Sequence, residues 1–188
     1  MPRPRTLAQA LDTRLEGEIA LRRGAAEDGA RIDSVWRAAL AMAQRFARRG
    51  RLLIVGAPAL RSDIAHLAVE FSHPSVPSAR SIATLSVVAP TPDIVEQQLE
   101  QLGREGDVCV AMAPATTDAI LWRALGVARR RDLVTIALVS EGGGGVPLAD
   151  HVIVAGGGGG TLKESLVTAY HVLWEMVHAV MAGEPVAS

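Results

Sequence analysis

Apolar residues recur at helical spacing through the first part of the chain. One run has an apolar side chain at every fourth position, with polar residues between, and predicts a helix from Leu7 to Leu21. A second run predicts a helix from Val35 to Ala47. Asp33 or Ser34 is suited to cap this second helix, because short polar side chains accept hydrogen bonds from the first helical amides.

Beyond residue 50 the pattern changes to short apolar runs that are typical of buried parallel strands. These runs are Arg51–Gly56, Ile82–Val88, Asp107–Met112, Leu133–Val139 and His151–Ala155. Helical patterns separate most of them or follow the last one, at Ser62–Phe71, Asp93–Leu102, Thr117–Arg129 and Thr161–Met181. Strands that alternate with helices predict an α/β protein, here a three-layer α/β/α sandwich around a five-stranded parallel sheet.

Sheets of this kind bind ligands beyond the carboxyl ends of their strands. The loops of interest therefore follow Val55, Met112, Val139 and Ala155. Two glycine-rich stretches, Gly142–Gly145 and Gly156–Gly160, are predicted to lie in the last two of these loops.

Composition describes a globular protein without a dominant charge. Of its 188 residues, 49% are hydrophobic and 21% are charged, and the formal net charge is −1. This balance does not favour a general nucleic-acid binder, which needs a basic surplus, and no apolar run is long enough for a membrane helix. The single cysteine, Cys109, lies in an apolar run and is predicted to be a buried thiol, which suits a reducing cytoplasm. A cytoplasmic location is the prediction, since the N-terminus also lacks an apolar signal core.

Two histidines and a glutamate form the candidate site with the most chemical content. His66 and Glu70 are four residues apart on a predicted helix, so their side chains point to the same side. Taken alone, this spacing is also that of an ordinary surface pair. If the last helix packs beside them, His171 completes a cluster suited to a divalent metal ion or to acid–base chemistry. The chain's only lysine, Lys163, lies eight residues before His171.

Three segments in the sheet region carry a family pattern. One is Gly103-Arg-Glu-Gly-Asp-Val-Cys-Val, and the others are Val134–Val139 and Leu148-Ala-Asp-His-Val-Ile-Val, which flank a glycine-rich turn. They resemble the third, fourth and fifth strands of the sugar isomerase (SIS) domain, and within it the phosphoheptose isomerase branch. The resemblance covers nearly the whole chain. It implies a single SIS domain over residues 1–188, in which residues 1–50 form oligomerisation helices.

The resemblance implies a metal site on the residues already singled out. The family pairs a His-x-x-x-Glu motif on one helix with a Gln and a His, eight residues apart, on the last helix. His66, Glu70 and His171 match three of these positions, and Lys163 stands at the Gln position. One divalent ion per subunit is therefore implied, zinc foremost, with Glu70 and His171 moving protons between C1 and C2 of a sugar.

Lys163 leaves two interpretations open. If it points into the cluster, its ammonium group replaces the metal, held by Glu70 between the two histidines, and no cofactor is bound. If the helix is rotated by one residue, Glu164 faces the cluster instead and restores a carboxylate ligand. That alternative is possible because Glu164 and His171 are seven residues apart and share a helix face.

The family's two phosphate-binding loops are altered in this chain. The first reads Gly56-Ala-Pro-Ala-Leu60 and the second Ala113-Pro-Ala-Thr-Thr-Asp118, so most of the hydroxyls and glycine amides that cradle a phosphate are gone. Asp118 also brings a negative charge that repels a phosphate. The candidate substrate-binding residues that remain are Gly56, Ala57, Thr116 and Thr117.

Altered loops beside a retained cluster leave two classes of function. The favoured prediction is a divergent SIS-domain protein that binds a sugar-derived ligand or a protein partner, as the DnaA initiator-associating protein of this branch does. The alternative is an active metal-dependent aldose–ketose isomerase of a sugar phosphate, with Glu70 as base and His171 as acid. In both classes the resemblance implies a homo-oligomer, a tetramer rather than a dimer, and neither class involves direct contact with nucleic acid or a membrane.

Overall fold

The computed structural model describes residues 7–76, 79–141, 145–156 and 162–183. In these ranges the strands are β1 (Leu52–Gly56), β2 (Thr84–Val88), β3 (Val108–Ala115), β4 (Val134–Glu141) and β5 (His151–Val154). The α-helices are α1 (Leu7–Glu27), α2 (Gly29–Ala47), α3 (Arg61–Ser72), α4 (Pro92–Leu102), α5 (Ala119–Arg130) and α6 (Leu162–Ala182). A short 3-10 helix, Pro58–Leu60, joins β1 to α3.

The five strands form one parallel sheet in the order β2-β1-β3-β4-β5. The order reverses between β1 and β3, which are neighbours in the sheet with Gly56 opposite Met112. At such a reversal the connecting segments leave toward opposite faces of the sheet, so the carboxyl ends of the two strands border a crevice. The sheet confirms the predicted α/β class and places the loops after β1 and β3 side by side.

Strand side chains are buried on both faces of the sheet, and the core is therefore double. Leu52 and Ile54 of β1 pack on one face with residues of α2, α3 and α6. Leu53 and Val55 pack on the other face with residues of α4 and α5. Because successive strand residues point to opposite faces, a sheet covered on both sides requires the continuous apolar runs seen in the sequence. The predicted three-layer sandwich is confirmed, and Cys109 is buried in it as expected.

Helix α2 begins earlier than the sequence pattern predicted. Its N-cap is Asp28, whose Oδ1 accepts hydrogen bonds from two backbone N–H groups of the first turn at 3.1 and 3.2 Å. The prediction that Asp33 or Ser34 caps this helix is therefore wrong. Ser34 lies inside the helix and donates a hydrogen bond to the carbonyl oxygen of Val152 in β5. The true start was hidden because Gly29 and the charged residues after it have the composition of a loop.

The region between β3 and α5 also differs from the predicted boundaries. Strand β3 continues past Met112 to Ala115, because it keeps pairing with β4 up to Glu141. Helix α5 begins at Ala119 and is capped by Asp118. Of the two glycine-rich stretches, Gly142–Gly144 and Gly157–Gly160 lie outside the described residues.

Helix α1 leaves apolar side chains uncovered. Leu15 is 50% exposed and Ile19 is 51% exposed, although both belong to the apolar pattern that predicted this helix. No helix in the described part of the chain combines the length and the apolarity that crossing a membrane requires.

Candidate functional site

Helix α3 starts where the sheet order reverses and carries two of the candidate residues. The chain leaves β1 at Gly56, where a Cβ atom would lie 2.8 Å from the carbonyl oxygen of Met112, so the close approach of β1 and β3 requires glycine. The 3-10 helix then turns the chain into α3. Helix α6 packs beside α3 in the same half of the core, and this places His66 and His171 on facing surfaces.

His66, Glu70 and His171 come together as the sequence predicted. One ligand atom from each lies within 4.8 Å of the others. His66 Nε2 is 3.3 Å from Glu70 Oε1, and the rings of His66 and His171 are 5.0 Å apart at an angle of 74°. The assembled donor set is therefore two imidazoles and one carboxylate, which is the composition of many divalent-metal and acid–base sites.

Two aromatic residues of α6 hold this cluster, and sequence reasoning missed both roles. The hydroxyl of Tyr170 lies 2.9 Å from His66 Nδ1. The indole N–H of Trp174 donates a hydrogen bond of 2.8 Å to the backbone carbonyl oxygen of Glu70. Both residues are buried. Burial, together with the negative charges of Asp63 and Glu70, raises the pKa of Tyr170 to about 12, so its phenol remains protonated at physiological pH.

Lys163 does not lie against Glu70. Its ammonium group donates to the hydroxyl of Ser62 at 3.0 Å and is 3.7 Å from Oδ2 of Asp63. Asp63 is buried, with 4% of its side chain exposed, while the lysine side chain is 62% exposed. The interpretation in which Glu70 holds Lys163 between the histidines does not match this geometry. Asp63, an acidic residue in the first turn of α3, is thus the partner of the only lysine in the chain.

Glu164, the other candidate to take the place of the family's metal-binding Gln, is not in the cluster either. Among the described residues the metal-compatible group consists of His66, Glu70 and His171 alone. The start of α6 thus brings the ammonium group of Lys163 to Asp63, one turn before His66 on α3. Among the residues that the structure describes, it adds no fourth metal ligand of the histidine or carboxylate type.

In the second altered loop, a side-chain carboxylate binds backbone N–H groups at the start of α5. Oδ1 of Asp118 accepts hydrogen bonds from the backbone N–H groups of Ile120 at 2.8 Å and Leu121 at 3.1 Å. Amides at a helix N-terminus are also the groups that bind a phosphate. In this chain Asp118 takes two of them. Thr116 is half-buried in the preceding turn, and its carbonyl oxygen accepts from the indole of Trp122.

The other predicted substrate-binding residues line the same edge of the sheet. Gly56 ends β1 and is buried, Ala57 follows it half-buried, and Thr117 is exposed before Asp118. Because β1 and β3 are adjacent and parallel, the two loops border the crevice from which α3 departs.

The cluster is open on the surface of a single chain. The side chain of His66 is 44% exposed and that of Glu70 is 21% exposed. A groove of about 340 Å³ lies elsewhere, between α2 and the end of α6, and its lining includes Ala43, His178 and Met181. The histidine–carboxylate cluster thus has little cover of its own.

Comparison with known proteins identifies the family and the fold. No family model matches the sequence. The phosphoheptose isomerase of Chlorobaculum tepidum is 30% identical over 174 residues, covering 82% of this chain and 83% of the relative. That of Desulfovibrio desulfuricans is 29% identical over 174 residues, covering 80% and 83%. The solved phosphoheptose isomerase of Neisseria gonorrhoeae superposes with a TM-score of 0.77 at 20% identity, over 92% of this chain and 98% of that one.

The parallel sheet order and its flanking helices define a protein of the SIS class. Within that class, the relative at 30% identity and the extent of the match are decisive. The chain belongs to the phosphoheptose isomerase family. The resemblance seen in the sequence is thereby confirmed.

Proposed function

We propose that the protein is a divalent-metal-dependent aldose–ketose isomerase whose sugar substrate is not anchored by the usual phosphate loops. One observation carries the proposal, namely the assembly of His66, Glu70 and His171 from two different helices into one donor set. A surface pair kept only for helix stability has no need of a histidine from the far end of the chain.

The donor set fits a divalent ion. Ligand atoms that bind a tetrahedral zinc ion at about 2.1 Å lie about 3.4 Å from one another. The candidate atoms lie within 4.8 Å of one another, so small side-chain rotations bring them to that spacing. Two imidazoles and a carboxylate with a fourth position open is the composition of a catalytic zinc site. When bound, such an ion polarises a carbonyl group of the sugar.

The residues themselves account for the proton transfers. Glu70 takes the proton from the carbon next to the carbonyl and returns it to the neighbouring carbon, so the carbonyl moves by one position. His171 donates a proton to the original carbonyl oxygen and removes one from the adjacent hydroxyl, which keeps atoms and charges balanced. Their placement on packed helices holds both groups at one sugar edge.

The loops argue for a substrate other than the sugar phosphate named for the relatives. Asp118 already binds two amides at the start of α5, and a carboxylate there repels a phosphate group. Pro58 removes one more amide from the first loop, and Leu60 replaces a hydroxyl with hydrocarbon. We therefore propose a sugar or sugar derivative whose far end is held in another way.

Elemental analysis of the purified protein, before and after chelation, tests the metal site. We expect close to one zinc ion per chain, lost in His66→Ala and in His171→Ala. The matched control is His73→Ala, which removes an exposed histidine at the end of α3 and should retain the metal. An absence of metal even after zinc is added back would contradict the proposal. With metal present, isomerase assays on neutral and phosphorylated sugars then decide the substrate class.

A second candidate is a non-catalytic module that assembles with a protein partner. Its support is the uncovered apolar side chains of α1, Leu15 and Ile19, together with the loss of the phosphate loops. A complex that forms equally well with His66→Ala and His171→Ala, in a protein that binds no zinc, would favour this candidate over the isomerase.

A further inference from the structure

Both ring nitrogens of His66 lie close to an oxygen atom, one in a hydrogen bond and the other in an ion-pair contact. Nδ1 lies 2.9 Å from the hydroxyl of Tyr170, and Nε2 lies 3.3 Å from Oε1 of Glu70. A neutral imidazole carries one proton, so one nitrogen donates and the other accepts. Which nitrogen carries the proton therefore decides what His66 offers to the rest of the cluster.

The two tautomers differ in the electrostatic interaction between Nε2 of His66 and the carboxylate of Glu70. With the proton on Nε2, the positive end of the N–H bond lies near the carboxylate of Glu70, and Nδ1 accepts a hydrogen bond from Tyr170. With the proton on Nδ1, a lone pair on Nε2 faces a carboxylate oxygen 3.3 Å away, and these two acceptors repel unless a cation lies between them. The second tautomer is the one that a metal ligand needs.

Tyr170 can satisfy both tautomers because a hydroxyl both donates and accepts. A carboxylate or a carbonyl group, which are the usual partners of a metal-binding histidine, only accepts and so keeps the proton on Nδ1. The phenol is fixed in place, since its side chain is fully buried and its ring packs against the rings of His66 and His171 at 5.6 and 4.9 Å. The hydroxyl hydrogen can rotate while the oxygen atom stays where it is.

We propose that Tyr170 is a positioning residue for His66 that donates to Nδ1 in the metal-free protein and accepts from Nδ1–H when Nε2 binds a metal ion. The ring remains neutral throughout, because the proton that leaves Nε2 is replaced by one on Nδ1 through exchange with water. The inference rests on the proposed metal site and adds to it a residue that the family motif does not contain.

Nitrogen-15 NMR of the histidine rings tests this exchange directly. The chain has five histidines, and the His66 signals are assigned by their loss in His66→Gln. At pH 8 we expect the Nε2–H tautomer in the metal-free protein. Saturation with zinc should convert His66 to the Nδ1–H tautomer. An Nδ1–H tautomer already present without metal would overturn the proposal.

Tyr170→Phe separates the role of the hydroxyl from the metal site itself. Without an acceptor for Nδ1–H, zinc affinity should fall by about 10- to 100-fold, while the metal-free tautomer stays Nε2–H because the carboxylate of Glu70 still lies next to Nε2. Ser34→Ala is the matched control, since it removes one hydroxyl hydrogen bond between α2 and β5 that does not involve His66, and it should leave zinc affinity unchanged. Zinc binding that Tyr170→Phe leaves unchanged overturns the role of Tyr170 alone, whereas a wild-type protein that binds no zinc overturns the proposed function.

If Tyr170→Phe does not fold, a measurement on the wild-type protein still tests the role of Tyr170. Tyr170 is the only tyrosine, so carbon-13 labelling of tyrosine at Cζ gives a single signal. That signal should shift when zinc reverses the direction of its hydrogen bond, and it should not shift when zinc is added to His66→Gln. A constant signal in zinc-saturated wild-type protein overturns the proposal.

Discussion

At the scale of single residues, burial decides which groups can react. Cys109 is the second residue of β3, the central strand of the sheet. None of it is exposed, and burial raises the pKa of its thiol to about 12. The thiolate is the reactive form of cysteine, so this side chain has neither the ionisation nor the access that a nucleophile needs.

The first prediction concerns that thiol. Iodoacetamide at pH 8 should leave Cys109 unmodified in the folded protein and alkylate it completely in urea, as measured by intact-mass spectrometry. The reason is that modification requires the strand to open, which exposes the thiol and returns its pKa to the ordinary range. Rapid alkylation of the folded protein would show that β3 opens far more often than a central strand should.

The second prediction concerns pH and His151, the first residue of β5. Burial lowers the pKa of His151, with the charge of Asp150 opposing this effect and that of Arg37 adding to it. In the unfolded chain this histidine therefore binds a proton at a pH of about 6.5, whereas in the folded protein it binds one only at lower pH. The free energy of unfolding thus falls as the pH drops through that range. Urea unfolding at pH 7.5 and pH 5 should show a smaller loss for His151→Asn than for the wild type. Equal losses would contradict the assignment.

At the scale of elements, three contacts join α3 to α6 in one register. Asp63 meets Lys163, His66 meets Tyr170, and Glu70 meets Trp174. The residues on α3 are three and four positions apart and those on α6 are seven and four, so each set lies on one helix face. These three contacts fix the rotation of α6 about its own axis and its position along α3. They thereby fix the position of His171.

The third prediction follows from the unequal exposure of the Asp63 and Lys163 side chains, of which the first is buried and the second exposed. Lys163→Met should destabilise the protein by about 1 to 3 kcal/mol, because it leaves the buried carboxylate of Asp63 without its cation. Asp63→Asn should cost less than about 1 kcal/mol, since the lysine side chain is largely hydrated and loses little. Chemical denaturation of both variants and of the double variant measures the difference. A larger loss in Asp63→Asn would contradict this account.

The same helices show what a sequence can and cannot predict. His66 and Glu70 were found because the pair is local, and their spacing alone places both on one face. Tyr170 and Trp174 were missed because their polar partners lie 104 residues earlier in the chain, and no local pattern connects them. The burial of Asp63 was missed for the same reason, since a carboxylate in a first helical turn is usually solvated. Periodicity predicted the sheet and its helices, but the second layer of contacts around the cluster depends on how two distant helices meet.

At the scale of the whole molecule, two features of the single chain are left uncovered. The apolar residues Leu15 and Ile19 of α1 are about half exposed, and His66 of the candidate site is open to solvent. A second copy packed through α1 would bury Leu15 and Ile19. If the candidate site lay between two subunits, the neighbouring chain would also shield His66 from solvent. Such apolar surface is typical of a protein interface.

The fourth prediction is that Leu15→Glu combined with Ile19→Glu reduces the molar mass in solution toward that of one chain, as measured by light scattering after gel filtration. The physical reason is that two charges on each α1 cannot be buried against another copy at tolerable cost. Ile94→Glu is the matched control, since Ile94 is 37% exposed on α4, which packs on the face of the sheet opposite α2. A one-chain mass for the wild type would contradict the prediction.

The pairing of α3 with α6 also has a consequence for biosynthesis. Synthesis on the ribosome proceeds from the N-terminus, so α3 and the first strands are made long before the helix that completes the site, whose contacts reach back 104 residues. A nascent chain interrupted before Leu162 contains His66 and Glu70 but neither His171 nor the tyrosine and tryptophan that hold them. Truncated products should therefore be inert toward zinc and sugars, and if the proposed metal site is correct, zinc binding would be among the last events in the maturation of this protein.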